Sequence, residues 1–150
     1  MNQFLSSLPS LPCTCASLRR AARALTQIYE DALRPLGLRV TQFTILQVLT
    51  LATEVSQGML AEILAMDSTT LTRTLGIMVR AGWIAERRGR DRREKLLRLS
   101  KSGRTQFQRA LPAWEKTQEQ LAKRMGERWQ DIPKLGDEVT ALATKQGGLQ

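Results

Sequence analysis

The side chains best suited to chemistry fall in two groups in the middle of the chain. Ser68, Thr69, Thr70, Thr72 and Arg73 put four short hydroxyls beside one guanidinium. Hydroxyls of this reach donate and accept hydrogen bonds, and a guanidinium can bind a phosphate or a guanine edge with two parallel bonds. Further on, Arg88, Arg90, Arg92 and Arg93 crowd around Gly89 and a single acid, Asp91. From Arg80 to Arg109 there are eleven Lys+Arg and three Asp+Glu, a net of +8, whereas the other 120 residues hold 12 basic and 11 acidic residues. A charge run is commonly just a solvated face. This one holds nearly the whole excess of the chain and is built mostly of Arg, which points to a polyanion as partner.

Other chemistry finds little support. The chain has no His, which removes the commonest general base, the commonest zinc ligand and every Ser-His or Cys-His pair. There is no Gly-rich phosphate loop. Glu115 and Glu119 share a helix face but read as surface charge. Cys13-Thr14-Cys15 cannot make a structural zinc site alone, and no further ligand exists to complete one. An enzyme is therefore disfavoured, and no cofactor or metal is expected.

The elements that must position the two polar groups are legible in the apolar spacing. The 150 residues, 42% hydrophobic with a net charge of +9, suit one domain with a core. No run of eighteen apolar residues suggests a membrane span, and Met1-Asn2-Gln3-Phe4 lacks the basic start of a signal peptide, so a cytoplasmic protein is expected. Residues 1–12, with Pro9 and Pro12, read as a flexible arm. Leu18, Ala21, Ala22, Leu25, Ile28, Tyr29, Ala32 and Leu33 predict an amphipathic helix that stops before Pro35-Leu36-Gly37, with Glu30 off its apolar stripe. Thr41 is the expected N-cap of a second helix, and Ser56 of a short third one. Asp67 or Ser68 caps a fourth, whose inner stripe is Leu71, Leu75, Met78 and Val79. Two short strands follow, joined by an arginine-coated turn at Gly89-Arg90-Asp91. Ser100 then caps a long helix with Pro112 inside it, where a kink or break is expected, and a last helix follows Asp131-Ile132-Pro133.

Helix, short helix, polar-tipped helix and basic hairpin is the order of a winged helix-turn-helix. Such a fold lays the hydroxyl-rich start of one helix against base edges in the major groove and the arginine hairpin against the neighbouring backbone and minor groove. Ser68, Thr69, Thr70, Thr72 and Arg73 are then the reading residues, and Arg88, Arg90, Arg92 and Arg93 the wing contacts. The plain alternative makes Ser68 and Thr69 mere caps and the hairpin a charge-protected edge. Either feature alone would favour it; together, in this order, they favour double-stranded DNA.

Three stretches carry a family resemblance: Leu38 to Leu46, Leu60-Ala61-Glu62-Ile63-Leu64, and Ser68 to Arg73. With Asp91-Arg92-Arg93, the apolar strand Leu97-Arg98-Leu99 and Ser100-Lys101-Ser102-Gly103, the chain resembles the MarR family of bacterial transcription regulators. The resemblance implies a mainly α fold with a small hairpin wing. It places the DNA-binding lobe at 38–100 and gives the terminal helices, 13–36 and 101–147, to a dimerisation domain. It also implies a homodimer on a pseudo-palindromic operator at the nucleoid, usually repressing, and released by a small-molecule effector or an oxidant. Asp91, by the same resemblance, orders the wing by pairing with a nearby Arg. In the hydroperoxide-sensing branch of the family a reactive Cys opens the first helix and a Tyr four turns on helps hold it; Cys15 and Tyr29 match that register, while Arg19 stands where another Tyr is expected. For Cys13 and Cys15 the plainer reading is two reduced thiols, and the sharper one is a redox sensor. The rival to a regulator is an architectural nucleic-acid binder without an effector.

Overall fold

The computed structural model describes residues 9–91 and 93–144; Arg92, the start of the expected arm and residues 145–147 of the expected last helix lie outside the described residues. Helix α1 runs Thr14–Leu33, followed by a 3-10 turn at Arg34–Leu36 and α2 at Val40–Leu51. Strand β1, Val55–Ser56, leads into α3, Gln57–Leu64, and α4, Ser68–Arg80. Strands β2, Ile84–Arg88, and β3, Lys95–Leu99, form the hairpin, and α5, Lys101–Met125, and α6, Asp131–Thr144, complete the chain. The sheet order is β1-β3-β2, antiparallel throughout, with Val55 opposite Leu97 and Ile84 opposite Leu99.

The core lies where the predicted stripes converge. Leu71, Leu75 and Met78 of α4 are fully buried with Phe43, Ile45 and Leu46 of α2, Leu60 of α3 and Leu97 of β3. Phe43 stacks on Phe107 and Trp114 of α5, at centroid distances of 5.3 and 5.8 Å, which joins the lobe to the long helix. Ser56, Asp67 and Ser100 cap their helices as the sequence indicates, accepting from the N–H groups of Met59, Thr70 and Gly103 at 3.1, 2.8 and 2.9 Å.

Three expectations are corrected, and one element is new. The N-cap of α2 is Arg39 and not Thr41, which lies in the first turn; the Arg39 N–H bonds Gln42 Oε1 at 2.9 Å. Glu30 is buried and does not belong to a polar face. Its carboxylate accepts the Val40 N–H at 3.0 Å and lies 3.2 Å from the Arg39 guanidinium, so an acid from α1 satisfies the exposed donors at the start of α2. Helix α5 continues past Pro112 without a break, because Pro112 and Gln108, whose carbonyl loses its partner, are both on the solvent side. Finally, β1 has no counterpart in the sequence reading, since two residues carry no alternation to detect.

The wing is fastened to α5 at one point. Gly103 packs so closely on Trp83 that an added Cβ would overlap the Trp83 carbonyl oxygen. The same carbonyl accepts the Ser100 N–H at 3.0 Å, and the Ser100 hydroxyl donates to the Gly82 carbonyl. Residues 9–12 of the expected arm lie along α1, where Arg20 donates to the Pro9 carbonyl at 3.3 Å and Ser17 to the Leu11 carbonyl at 3.4 Å.

Candidate nucleic-acid interface

Helix α4 divides into two faces. The inner one is apolar and buried; the outer one carries Thr69, Thr72, Arg73 and Gly76 at three- and four-residue spacing. Ser68, Thr69, Thr72 and Arg73 are exposed, and Arg73 has no hydrogen-bond or ion-pair partner among the described residues. Thr70 is half-buried, and its N–H is engaged by Asp67. The Thr70 hydroxyl and N–H hold the Asp67 carboxyl below its ordinary pKa, so this cap stays ionised near neutrality.

The hairpin stands beside that outer face. Arg88, Arg90 and Arg93 are exposed, while Arg92 lies outside the described residues. Asp91 Oδ1 accepts the Arg93 backbone N–H at 3.0 Å, and the Glu94 N–H bonds the Asp91 carbonyl at 2.9 Å. The described contacts of Asp91 are thus with backbone, where a guanidinium partner was expected. Ser68, Thr72 and Gln57 on one side and Asp91, Arg93 and Lys95 on the other line a single open crevice of about 750 Å³. The structure therefore brings Ser68, Thr72 and Arg93 to one surface.

Three residues of this surface escaped the sequence reading. Glu54, just before β1, makes a double bond to Arg87 of β2, Nε to Oε2 at 2.7 Å and Nη2 to Oε1 at 2.5 Å. That bond draws the Glu54 carboxyl below its usual pKa and raises that of Arg87. Arg87 is consumed in bracing the wing, unlike its neighbour Arg88. Gln57, at the start of α3, donates from Nε2 to the Thr72 hydroxyl at 2.8 Å. The one signal for Gln57 is its place immediately after the Ser56 cap, where a helix-turn-helix sets α3 against α4.

The thiols stand apart. Cys13 and Cys15 are both exposed at the start of α1 and unpaired. Tyr29 is half-buried, and burial raises its phenol pKa. It follows Cys15 by fourteen residues of continuous helix, about 21 Å at 1.5 Å per residue, so one chain does not bring the two side chains together.

Residues 36–94, spanning the end of the 3-10 turn to the wing, match the sequence model of the MarR family. The Mycobacterium tuberculosis transcriptional regulator MosR, solved in complex with DNA, is 38% identical, with 89% of this chain and 99% of that chain covered and a TM-score of 0.76. The chain belongs to the MarR family. An uncharacterised HTH-type transcriptional regulator of Bacillus subtilis, YwoH, is 28% identical over 104 residues, 69% of this chain and 76% of that protein. A mutant MarR from Escherichia coli, complexed with operator DNA, shares the fold at 20% identity, a TM-score of 0.74 and coverage of 93% and 99%. Membership gives the outer face of α4 and the hairpin their names, recognition helix and wing, in this MarR-family chain. No helix among the described residues is long and apolar enough to cross a membrane.

Proposed function

We propose that this MarR-family protein is a sequence-specific, DNA-binding transcription regulator that works as a homodimer in the cytoplasm, on a pseudo-palindromic operator. The observation that carries the reading is the shared crevice: Ser68 and Thr72 from the start of the recognition helix and Arg93 and Lys95 from the wing line one open surface, and Arg73, Arg88 and Arg90 are exposed on the same two elements. Short hydroxyls and Arg73 read base edges, the positive end of the α4 dipole favours the phosphates nearby, and the wing cations release counterions from the backbone. Glu54 holds β2 so that the wing is presented in one orientation. Dimerisation belongs to α1, α5 and α6, where Leu18, Ile28, Met125, Leu135, Val139 and Leu142 are exposed in the single chain. Repression is the mode this architecture suits, since a dimer straddling an operator blocks access to it.

The test is selection from a pool of random duplexes, followed by titration of the selected and a scrambled duplex at one salt concentration. The expected result is a two-fold symmetric site bound at least about 1,000-fold more tightly than the scrambled duplex. Equal binding to both would make the protein an architectural binder.

Release by a small ligand or by thiol modification belongs to the same proposal. The thiol route is supported by the exposure of Cys13 and Cys15 at the start of α1, a helix assigned to dimerisation. Oxidation there would shift α1 and with it the spacing of the two recognition helices, which must match about 34 to 36 Å of DNA. Operator binding with and without stoichiometric peroxide, for wild type and Cys15→Ser, decides it. Loss of affinity in oxidised wild type alone supports the sensor, and equal affinity in all four conditions removes it.

A further inference from the structure

Six helical threonines share one hydrogen bond that Thr72 does not make. Thr44, Thr50, Thr74, Thr105, Thr117 and Thr140 each donate the hydroxyl to the carbonyl four residues earlier, at 2.8 to 3.2 Å. Thr72 instead accepts, from Gln57 Nε2 at 2.8 Å. A hydroxyl has one proton and two lone pairs. With a lone pair held by Gln57 and the proton not given to its own helix, Thr72 has its O–H to offer outward. An incoming hydrogen bond also polarises a hydroxyl and strengthens the bond it donates. One turn on, Gly76 leaves the outer face of α4 open beside Thr72; a Cβ there would meet only the Arg80 guanidinium, at 3.4 Å. Gln57 itself is half-buried in the crevice, where α3 meets α4.

We propose that Gln57 is a positioning residue that sets base specificity through Thr72. It holds the Thr72 hydroxyl as a donor, so the base edge facing Thr72 must present an acceptor. Guanine N7 and O6, adenine N7 and thymine O4 qualify; cytosine offers only its N4 amine in the major groove and is discriminated against. This inference rests on the DNA-reading function proposed above.

The experiment starts from the duplex that wild type selects from a random pool and titrates every single-base variant of it. Thr72→Val identifies the position that Thr72 reads, as the one whose discrimination disappears. In wild type, cytosine at that position should weaken binding about fivefold, the size of one neutral hydrogen bond. Gln57→Met should abolish that discrimination and leave the other positions unchanged, and in the Thr72→Val background it should cause no further loss. Gln57→Glu turns the pair over: a carboxylate can only accept, Thr72 must donate to it, and the outward lone pairs then favour cytosine at that position, beneath a uniform loss from the added negative charge. Thermal unfolding of each variant checks that the lobe is intact. Additive effects of Gln57→Met and Thr72→Val, or a Gln57→Met variant that reads the position as wild type does, would overturn the inference. So would a wild-type preference for cytosine that Gln57→Glu does not move, because Thr72 would then already be donating to Gln57. If wild type enriches no sequence, the regulator reading fails and takes this inference with it; enrichment with an additive cycle sinks the role of Gln57 alone.

Discussion

Arg73 and Arg90 are both exposed, and neither has a side-chain partner among the described residues, yet they serve different surfaces. Arg73 lies on the outer face of α4, where a two-pronged contact to a base edge gives about 1 to 3 kcal/mol of discrimination. Arg90 is at the wing tip, where the proposed contacts fall on phosphate or the minor groove. Arg73→Ala should flatten the preference at one operator position, and Arg90→Ala should weaken all variants alike while lowering the salt slope by about 0.9. Titration of the operator variants at several salt concentrations measures both; a uniform loss for Arg73→Ala would remove it from the reading set. Glu54 calls for a different measurement. Its pairing with Arg87 lowers its pKa in the folded chain, so the pair's contribution to stability is present above the ordinary carboxylate range and is lost as pH falls through the lowered value. Wild type should therefore exceed Glu54→Gln in stability at neutral pH, and the gap should close in acid, below the ordinary carboxylate range. Urea unfolding at a series of pH values tests this. A gap that persists in acid would mean that shape, and not charge, is what Glu54 supplies.

At the scale of elements, the joint between wing and long helix is the point most sensitive to a small change. Ser100 caps α5 at Gly103, and Gly103 lies against the carbonyl of Trp83, just before β2, so one short segment fixes the angle between recognition lobe and α5. Gly103→Ala gains helix propensity of roughly 1 kcal/mol but must displace a backbone carbonyl, and overpacking of this kind costs about 1 to 3 kcal/mol or more. The variant should be less stable on balance, by up to about 2 kcal/mol in urea unfolding, and a more stable variant would mean that the joint is loose. The Ser-x-x-Gly pattern is visible in the sequence, but the carbonyl it receives is not. The same division runs through the molecule. Caps and stripes such as Asp67 with Thr70, or Leu71 with Leu75 and Met78, are set by neighbours three or four residues away and are legible in the order of residues. Glu54 with Arg87, Gln57 with Thr72, and Glu30 under the start of α2 join positions brought near only by packing. Glu30 was misread for that reason: its helix places it off the apolar stripe, and a second helix arriving over it is what buries it.

The whole molecule is incomplete as one chain. Phe107 and Leu121 are buried, and Leu111 and Trp114 are packed against the core, so these residues need no second subunit. The unmet surface lies elsewhere. Helix α6 has no buried residue among those described, and its Leu135, Val139 and Leu142 are 54, 42 and 66% exposed on one stripe, with Leu18 and Ile28 of α1 also exposed. Surface of this kind calls for a partner, and a two-fold related copy supplies the same apolar stripe. Because the stripe is exposed in the single chain, replacing Leu135 and Val139 with Asp removes nothing that the lobe itself relies on. Wild type should sediment at about 34 kDa, twice the 16.9 kDa of one chain, and the double variant at the single-chain mass with its thermal unfolding still cooperative. The variant keeps every recognition-helix and wing residue, so it should bind an isolated half-site as wild type does. On the full operator it loses the linkage between the two lobes, which is worth about 10²- to 10⁴-fold in affinity. Both masses come from sedimentation at micromolar concentration, and both affinities from half-site and full-site duplexes. A double variant that remains dimeric would move the interface off α6, and one that is monomeric yet binds the full site undiminished would show that one lobe suffices for recognition.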